Sequence, residues 1–229
     1  MKYRLWFVKK GVLRFISHLD VNRSMMRALR SAEVPMSYSQ GFNPRPLVTF
    51  ALPLSLGIES DCESMDIQTE SEIDCEKTAE ALNRFLPEEL RMINCAPSVN
   101  DPKVITEAVY RISIACPEAK TIFERFWDAD AVTVTKKTKS GSKEIDLKPL
   151  VKIGTISGDD DRCEFEAALP TGTAQNINPM LLTDAFCDFL KAERSRPFPT
   201  SAFCERCAPE AEVHITRVEV RMRDGGKFV

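Results

Sequence analysis

Histidine occurs only twice in these 229 residues, tryptophan twice, tyrosine three times and glycine nine times. The few glycines form neither G-x-x-x-x-G-K nor G-x-G-x-x-G, so a nucleotide site built on a glycine loop is excluded. There is no nucleophile elbow, and no second histidine near His18 to support a hydrolase triad. No apolar run approaches the roughly 18 residues needed to cross a bilayer. The opening "MKYRLWFVKKG" carries charges at positions 2 and 4 and lacks an apolar centre, so it does not read as a signal peptide. Eight cysteines without an export signal set the expectation of a reducing compartment, the cytoplasm, with free thiols and no membrane association.

What is present is charge, 28% of residues, and it is segregated. Residues 1–50 hold Lys2, Arg4, Lys9, Lys10, Arg14, Arg23, Arg27, Arg30 and Arg45 against Asp20 and Glu33. The following stretch reverses the sign with Glu59, Asp61, Glu63, Asp66, Glu70, Glu72, Asp74, Glu76 and Glu80. Local field decides what a surface attracts, so the net charge of −3 argues neither for nor against an anionic partner.

Hydrophobic periodicity predicts strand, helix, strand, strand, helix, strand in each half of the chain. In the first half these are "KYRLWFV", Asp20 to Ala32, "LVTFALPL", "ESMDIQT", "DCEKTAEALNRFL" and "LRMINCAPSV". In the second they are "AVYRISIAC", "EAKTIFERFWDA", "AVTVT", "DRCEFEAAL", "NPMLLTDAFCDFL" and "EVHITRVEVRM", the last broken in phase as by a bulge. The reading is an α+β protein of tandem ferredoxin-like (βαββαβ) units with antiparallel sheets, residues 1–98 and 104–229. Residues 96–105 read as a linker, and residues 136–149 as a loop-like insert whose lysines suit a solvated turn or phosphate contacts.

The stretch "RFISHLDVNRSMMRALRSAEVPMSYSQGFNPRPLVTF" concentrates the polar chemistry. "SHLD" has the spacing of a helix-capping box, with Ser17 accepting from the Asp20 amide and Asp20 reaching back. His18 then falls in the first helical turn, where the helix dipole favours neutral imidazole, which can act as a base, a ligand or a packed ring. Arg23, Arg27 and Arg30 form one helical stripe, while Leu19, Met26 and Leu29 lie on a face that can pack. Charged stripes are more often solvated faces than sites, with Asp20 pairing Arg23 here, but three arginines with one acid is not an inert mixture. Beyond the helix, Gly41 permits a positive φ or a close approach, and Pro44 and Pro46 stiffen a loop that presents Phe42, Asn43 and Arg45. Those three side chains suit stacking on a base and reading its edge, and serve equally in a plain chain reversal.

The same residues, through "LPLSLGIES", resemble the opening of the DUF2344 family of radical SAM-linked proteins, with "KEIDLKPLV" a further piece. The motif positions are His18, Asp20, Arg23, Arg27, Gly41, Phe42, Pro44 and Pro46. The family more often has histidine where this chain has Arg45, so no metal or acid–base role carries over to that position. The resemblance implies a partner radical SAM protein that uses S-adenosylmethionine and an iron–sulfur cluster. This chain lacks the C-x₃-C-x₂-C triad: upstream of Cys204 and Cys207, position 200 is threonine. The expectation is therefore that it binds no such cofactor itself. Cys204, Cys207 and His214 are a weak zinc set, since a lone CxxC is common without metal. Three functions stay open: a module presenting structured RNA to a radical SAM enzyme, an RNA-processing or RNA-modifying enzyme using His18, and a protein scaffold.

Overall fold

The computed structural model describes residues 1–138, 141–172, 175–194 and 211–228. Along the chain these form β1 (Lys2–Lys9), α1 (His18–Ser31), β2 (Val48–Phe50), β3 (Glu59–Gln68), α2 (Cys75–Asn83), β4 (Met92–Pro97), β5 (Ile105–Ala115), α3 (Ala119–Asp128), β6 (Thr133–Thr138), β7 (Gly141–Asp146), β8 (Lys152–Ile153), β9 (Ser157–Asp159), β10 (Arg162–Pro170), α4 (Met180–Arg194) and β11 (Glu212–Met222). The protein is α+β with a mostly antiparallel strand arrangement. It divides into two units, one of residues 1–107 with 216–229, the other of residues 108–215.

In the first unit β1 lies between β4 and β3, antiparallel to both, with Leu5 opposite Met65 and Cys95. The outer edge of β3 is shared: β2 pairs antiparallel at residues 65–67, and Thr216 and Arg217 of β11 pair parallel at Glu59 and Ser60. Tyr3, Leu5, Phe7, Met65 and Ile67 point to one face and pack against Val21, Met25, Ala28 and Leu29 of α1 and Leu82 of α2. The α1 positions recur at helical spacing, which is why this segment is a helix buried along one stripe. Leu19, expected in that stripe, is instead 63% exposed. It sits in the first turn, ahead of the contact that begins at Val21.

Charge segregation in the sequence becomes pairing in the fold. Lys10 meets Asp61 at 2.9 Å, Arg14 meets Glu59 at 3.6 Å, and Lys2 meets Asp66 at 3.1 Å. Arg4 and Asp66 are both buried and joined twice, Nε to Oδ1 at 2.7 Å and Nη2 to Oδ2 at 3.1 Å. Arg4 also donates to Ser98 Oγ at 3.2 Å and to the Asn100 carbonyl, and its guanidinium lies 3.9 Å from the Phe228 ring centroid. The stretch expected as a linker is thus fastened to the first unit at Ser98 and Asn100. A second buried pair, Arg217 with Glu63, joins at Nε–Oε1 (3.1 Å), and Arg217 Nη2 also donates to the Leu52 carbonyl at 2.6 Å. The broken phase of β11 persists in the fold: its buried positions are Ile215, Arg217 and Val220, so a charge continues the inward phase of Ile215 and the phase shifts by one residue before Val220.

In the second unit, strand order runs β11-β5-β10-β8, with β9 on β10. Phe123 of α3 stacks on Phe165 of β10 at 4.2 Å between centroids and touches Phe126 and Phe186, a cluster whose burial stabilises by roughly 1.5–3 kcal/mol per ring. The expected strand "AVTVT" exists as β6, but it pairs with β7 in a separate two-stranded sheet. Of residues 136–149, read from sequence as a loop-like insert, 136–138 extend β6 and 141–146 form β7. The strand was hidden because Gly141, Ser142 and Lys143 give no apolar alternation. The strand beside β10 is the two-residue β8, too short for periodicity to register.

Cys163, on β10, is fully buried, and burial, aided by the Glu124 carboxylate, pushes its thiol up to about 12. A raised thiol pKa stabilises the fold below the unfolded thiol range and is lost as pH rises through the folded value. Iodoacetamide at pH 8 is therefore expected to spare Cys163 in the native protein and label it only after denaturation, as peptide mass mapping would show.

Candidate functional site

The basic helix and the loop after it belong to the first unit. Ser17 caps α1, its hydroxyl accepting from the Asp20 amide at 3.2 Å. The Asp20 carboxylate accepts from the Ser17 hydroxyl at 2.7 Å and from Arg23 at 3.0 Å, which holds it below the usual carboxylate range. The capping residues are those anticipated, but the return contact runs between side chains.

His18 opens the helix half-buried, its ring edge-on to Phe50 of β2 at 4.7 Å and 84°. Phe50 in turn meets Phe7 edge-on at 6.2 Å. Among the described residues none hydrogen-bonds the imidazole. The ring thus packs against the sheet through Phe50. A general base would also need an orienting partner, which the substrate or another protein would have to supply.

Arg23, Arg27 and Arg30 are all exposed along one side of α1, as their spacing requires. Arg23 pairs with Asp20. Arg27, Arg30 and Arg45 have no ion pair among the described residues. The contrast with Arg4, Arg14 and Lys10, each matched to an acid of β3, leaves these three as exposed side-chain cations of residues 1–50 without an ion pair among the described residues.

The loop is held at its stem and free at its tip. Ser37 donates to the Gln68 carbonyl at 2.8 Å, Gln68 to Leu47 at 3.0 Å, and Leu47 to Ser37 at 2.9 Å. Tyr38 and Pro46 face each other in a bridge. Ser39 closes the tip, its amide donating to the Arg45 carbonyl at 2.8 Å and its hydroxyl accepting from the Arg45 amide at 3.0 Å. Gly41 has φ +121°, and a Cβ there would meet nothing within 4 Å, so its glycine serves the conformation and not a close approach. Phe42 is 107% exposed, its ring as open to water as in an unfolded chain. Asn43, Pro44 and Arg45 are exposed beside it.

Helix and loop do border a common cavity, of about 170 Å³, floored by Met26 and Leu29 and edged by Arg30, Glu33, Tyr38 and Pro46. Arg30 and the loop stem share it. Arg23, Arg27, Gly41, Phe42, Asn43 and Arg45 do not line it. Of the zinc candidates, Cys204 and Cys207 lie outside the described residues, and His214 is half-buried on β11. No group of three metal-ligating side chains occurs among the described residues, and no described helix is long and apolar enough to cross a membrane.

Sequence reasoning missed the buried charges Lys9, Glu63 and Arg217. Lys9 is 2% exposed, donates to the Ile16 carbonyl at 3.1 Å, and is driven below the usual lysine range by burial, against the pull of Glu63. The signal was available for two of them: Lys9 continues the inward phase of Tyr3, Leu5 and Phe7, and Glu63 precedes Met65 and Ile67.

No curated protein matches the chain. The family described as "Uncharacterized protein conserved in bacteria (DUF2344)" matches residues 2–179, a span that holds α1, the loop and both buried partners Asp66 and Glu63. The chain belongs to that family.

Proposed function

We propose that the protein is a cytoplasmic, RNA-binding accessory module that presents its substrate to a radical SAM enzyme. In this reading both units are ferredoxin-like. The order β4-β1-β3-β2, with α1 and α2 on one face, supports it for the first, and β11-β5-β10-β8 for the second. The chain contributes recognition, and the partner contributes S-adenosylmethionine and the iron–sulfur cluster. The observation that carries the reading is the exposed Arg27 and Arg30 on α1, without an ion pair among the described residues, together with a following loop that exposes Arg45 and an aromatic ring, Phe42, that buries nothing of its own fold. Guanidiniums neutralise phosphates, and an exposed ring offers a face on which a base stacks.

A salt titration of binding to total cellular RNA tests this with two variants. Arg27→Ala should reduce the slope of log affinity against log salt by about 0.7–0.9, the effect of one lost phosphate contact. Phe42→Ala should cost roughly 1–3 kcal/mol while leaving the slope unchanged. No binding at about 50 mM salt, or one slope for wild type and Arg27→Ala, rejects RNA as the ligand. The basic face would then belong to an acidic protein surface.

A further inference from the structure

The two-stranded sheet of the second unit leaves one edge of β6 open. Leu147 donates its amide to the Val132 carbonyl at 2.9 Å, turning that residue toward β7. Alternation along an antiparallel ladder then turns residues 134 and 136 to β7, and Thr133 and Thr135 away from it. Among the described residues β7 is the only strand paired with β6. The outward N–H and C=O groups of Thr133 and Thr135 are therefore unclaimed by any strand.

That edge faces a groove of about 510 Å³. Residues 131–135 line it consecutively, although Val132 and Val134 are buried and Thr133 and Thr135 exposed. Side chains on opposite faces of a strand reach one groove in unbroken succession only through the strand's edge. Phe126, Leu181 and Phe189 give the groove an apolar lining, and α4 adds Asp184 and Asp188, one turn apart. Asp184 has no ion pair among the described residues, and Asp188 has only the exposed Lys191 at 3.7 Å.

We propose that this groove is a strand-addition site for an extended segment of a partner protein in which apolar and basic residues alternate. The segment's backbone pairs with Thr133 and Thr135, its apolar side chains rest on Phe126, Leu181 and Phe189, and its lysines or arginines face Asp184 and Asp188. A second copy of the chain fits less well. Its own β6 offers one apolar side chain, Val134, already buried, and Lys136 is already bonded to the Asn176 carbonyl at 2.6 Å.

The probe is a fluorescein-labelled octapeptide of alternating valine and lysine, titrated against the full chain. It should bind, and methylating the alternate amides that would face β6 should weaken it roughly tenfold, the effect of about two lost hydrogen bonds. The Asp184→Asn/Asp188→Asn variant should weaken it roughly fivefold at low salt and little at high salt. Thr135→Pro should abolish binding yet leave the β6–β7 ladder intact, because the lost amide points outward. Hydrogen exchange at Thr133 and Thr135 should slow when peptide is added. The proposal is overturned by absence of binding, by equal affinity of the methylated peptide, or by a valine–glutamate peptide that binds as well. Protection of Thr133 and Thr135 that rises with protein concentration alone overturns it too, since the edge would then serve a second copy.

Discussion

Replacing Asp66 by alanine is expected to lower stability by about 3–5 kcal/mol, seen as a fall in the urea midpoint. The reason is what the change leaves behind. Arg4 is fully buried, so its guanidinium would lose two charge-assisted hydrogen bonds to a carboxylate, while the neutral contacts to Ser98, the Asn100 carbonyl and the face of Phe228 leave its charge without that counter-ion. Lys2, half exposed, can turn to water and adds little. The pair itself need not be worth that sum. Desolvating two ions consumes most of their attraction, so Arg4→Met combined with Asp66→Leu should recover most of the loss. A single variant within about 1 kcal/mol of wild type would show that Arg4 escapes to solvent.

Glu63→Ala should cost a similar amount, about 3–5 kcal/mol at pH 7, because it strands two cations. Arg217 loses its carboxylate, and Lys9 loses the negative neighbour that opposes its desolvation. Lys9 adds a pH dependence with a definite sign. A lysine whose folded pKa lies below its unfolded value takes up protons on unfolding, so stability rises with pH between the two. Removing Glu63 lowers the folded value further and opens that window earlier. The deficit of Glu63→Ala should therefore shrink from pH 7 to pH 9. The range stops there because ionisation of Cys62, pushed up to about 11 by burial, works in the opposite direction above the unfolded thiol value. A deficit that is constant or grows over this range would remove Lys9 from the account.

The elements of the first unit were legible because each has a strong period: the apolar stripe of α1, the alternation of β1, the Asp74 cap of α2. The arginine stripe and the exposed Phe42 were legible for the same reason, since spacing and turn chemistry are local. What was not legible was non-local. Nothing in the run of acids from Glu59 to Asp66 says that they neutralise β1 and the turn after it, nor that Glu63 awaits a residue 154 positions away. In the second half, β8 and β7 were missed because one is two residues long and the other has a single large apolar residue, Ile145.

That Arg217 and its neighbour Thr216 complete the edge of β3 bears on how the protein is made. A nascent chain that has emerged through residue 107 holds every other strand and both helices of the first unit, but Glu63 and Lys9 have no Arg217. At roughly 5–20 residues per second the ribosome needs roughly 5–20 s more to deliver it. Throughout that interval half of one strand edge and an unmatched carboxylate stand open, while the residues of the second unit are threaded out between them. Vectorial synthesis therefore cannot finish the first unit first: Thr216 and Arg217, translated only after residues 108–215, close the strand edge that residues 1–107 leave open.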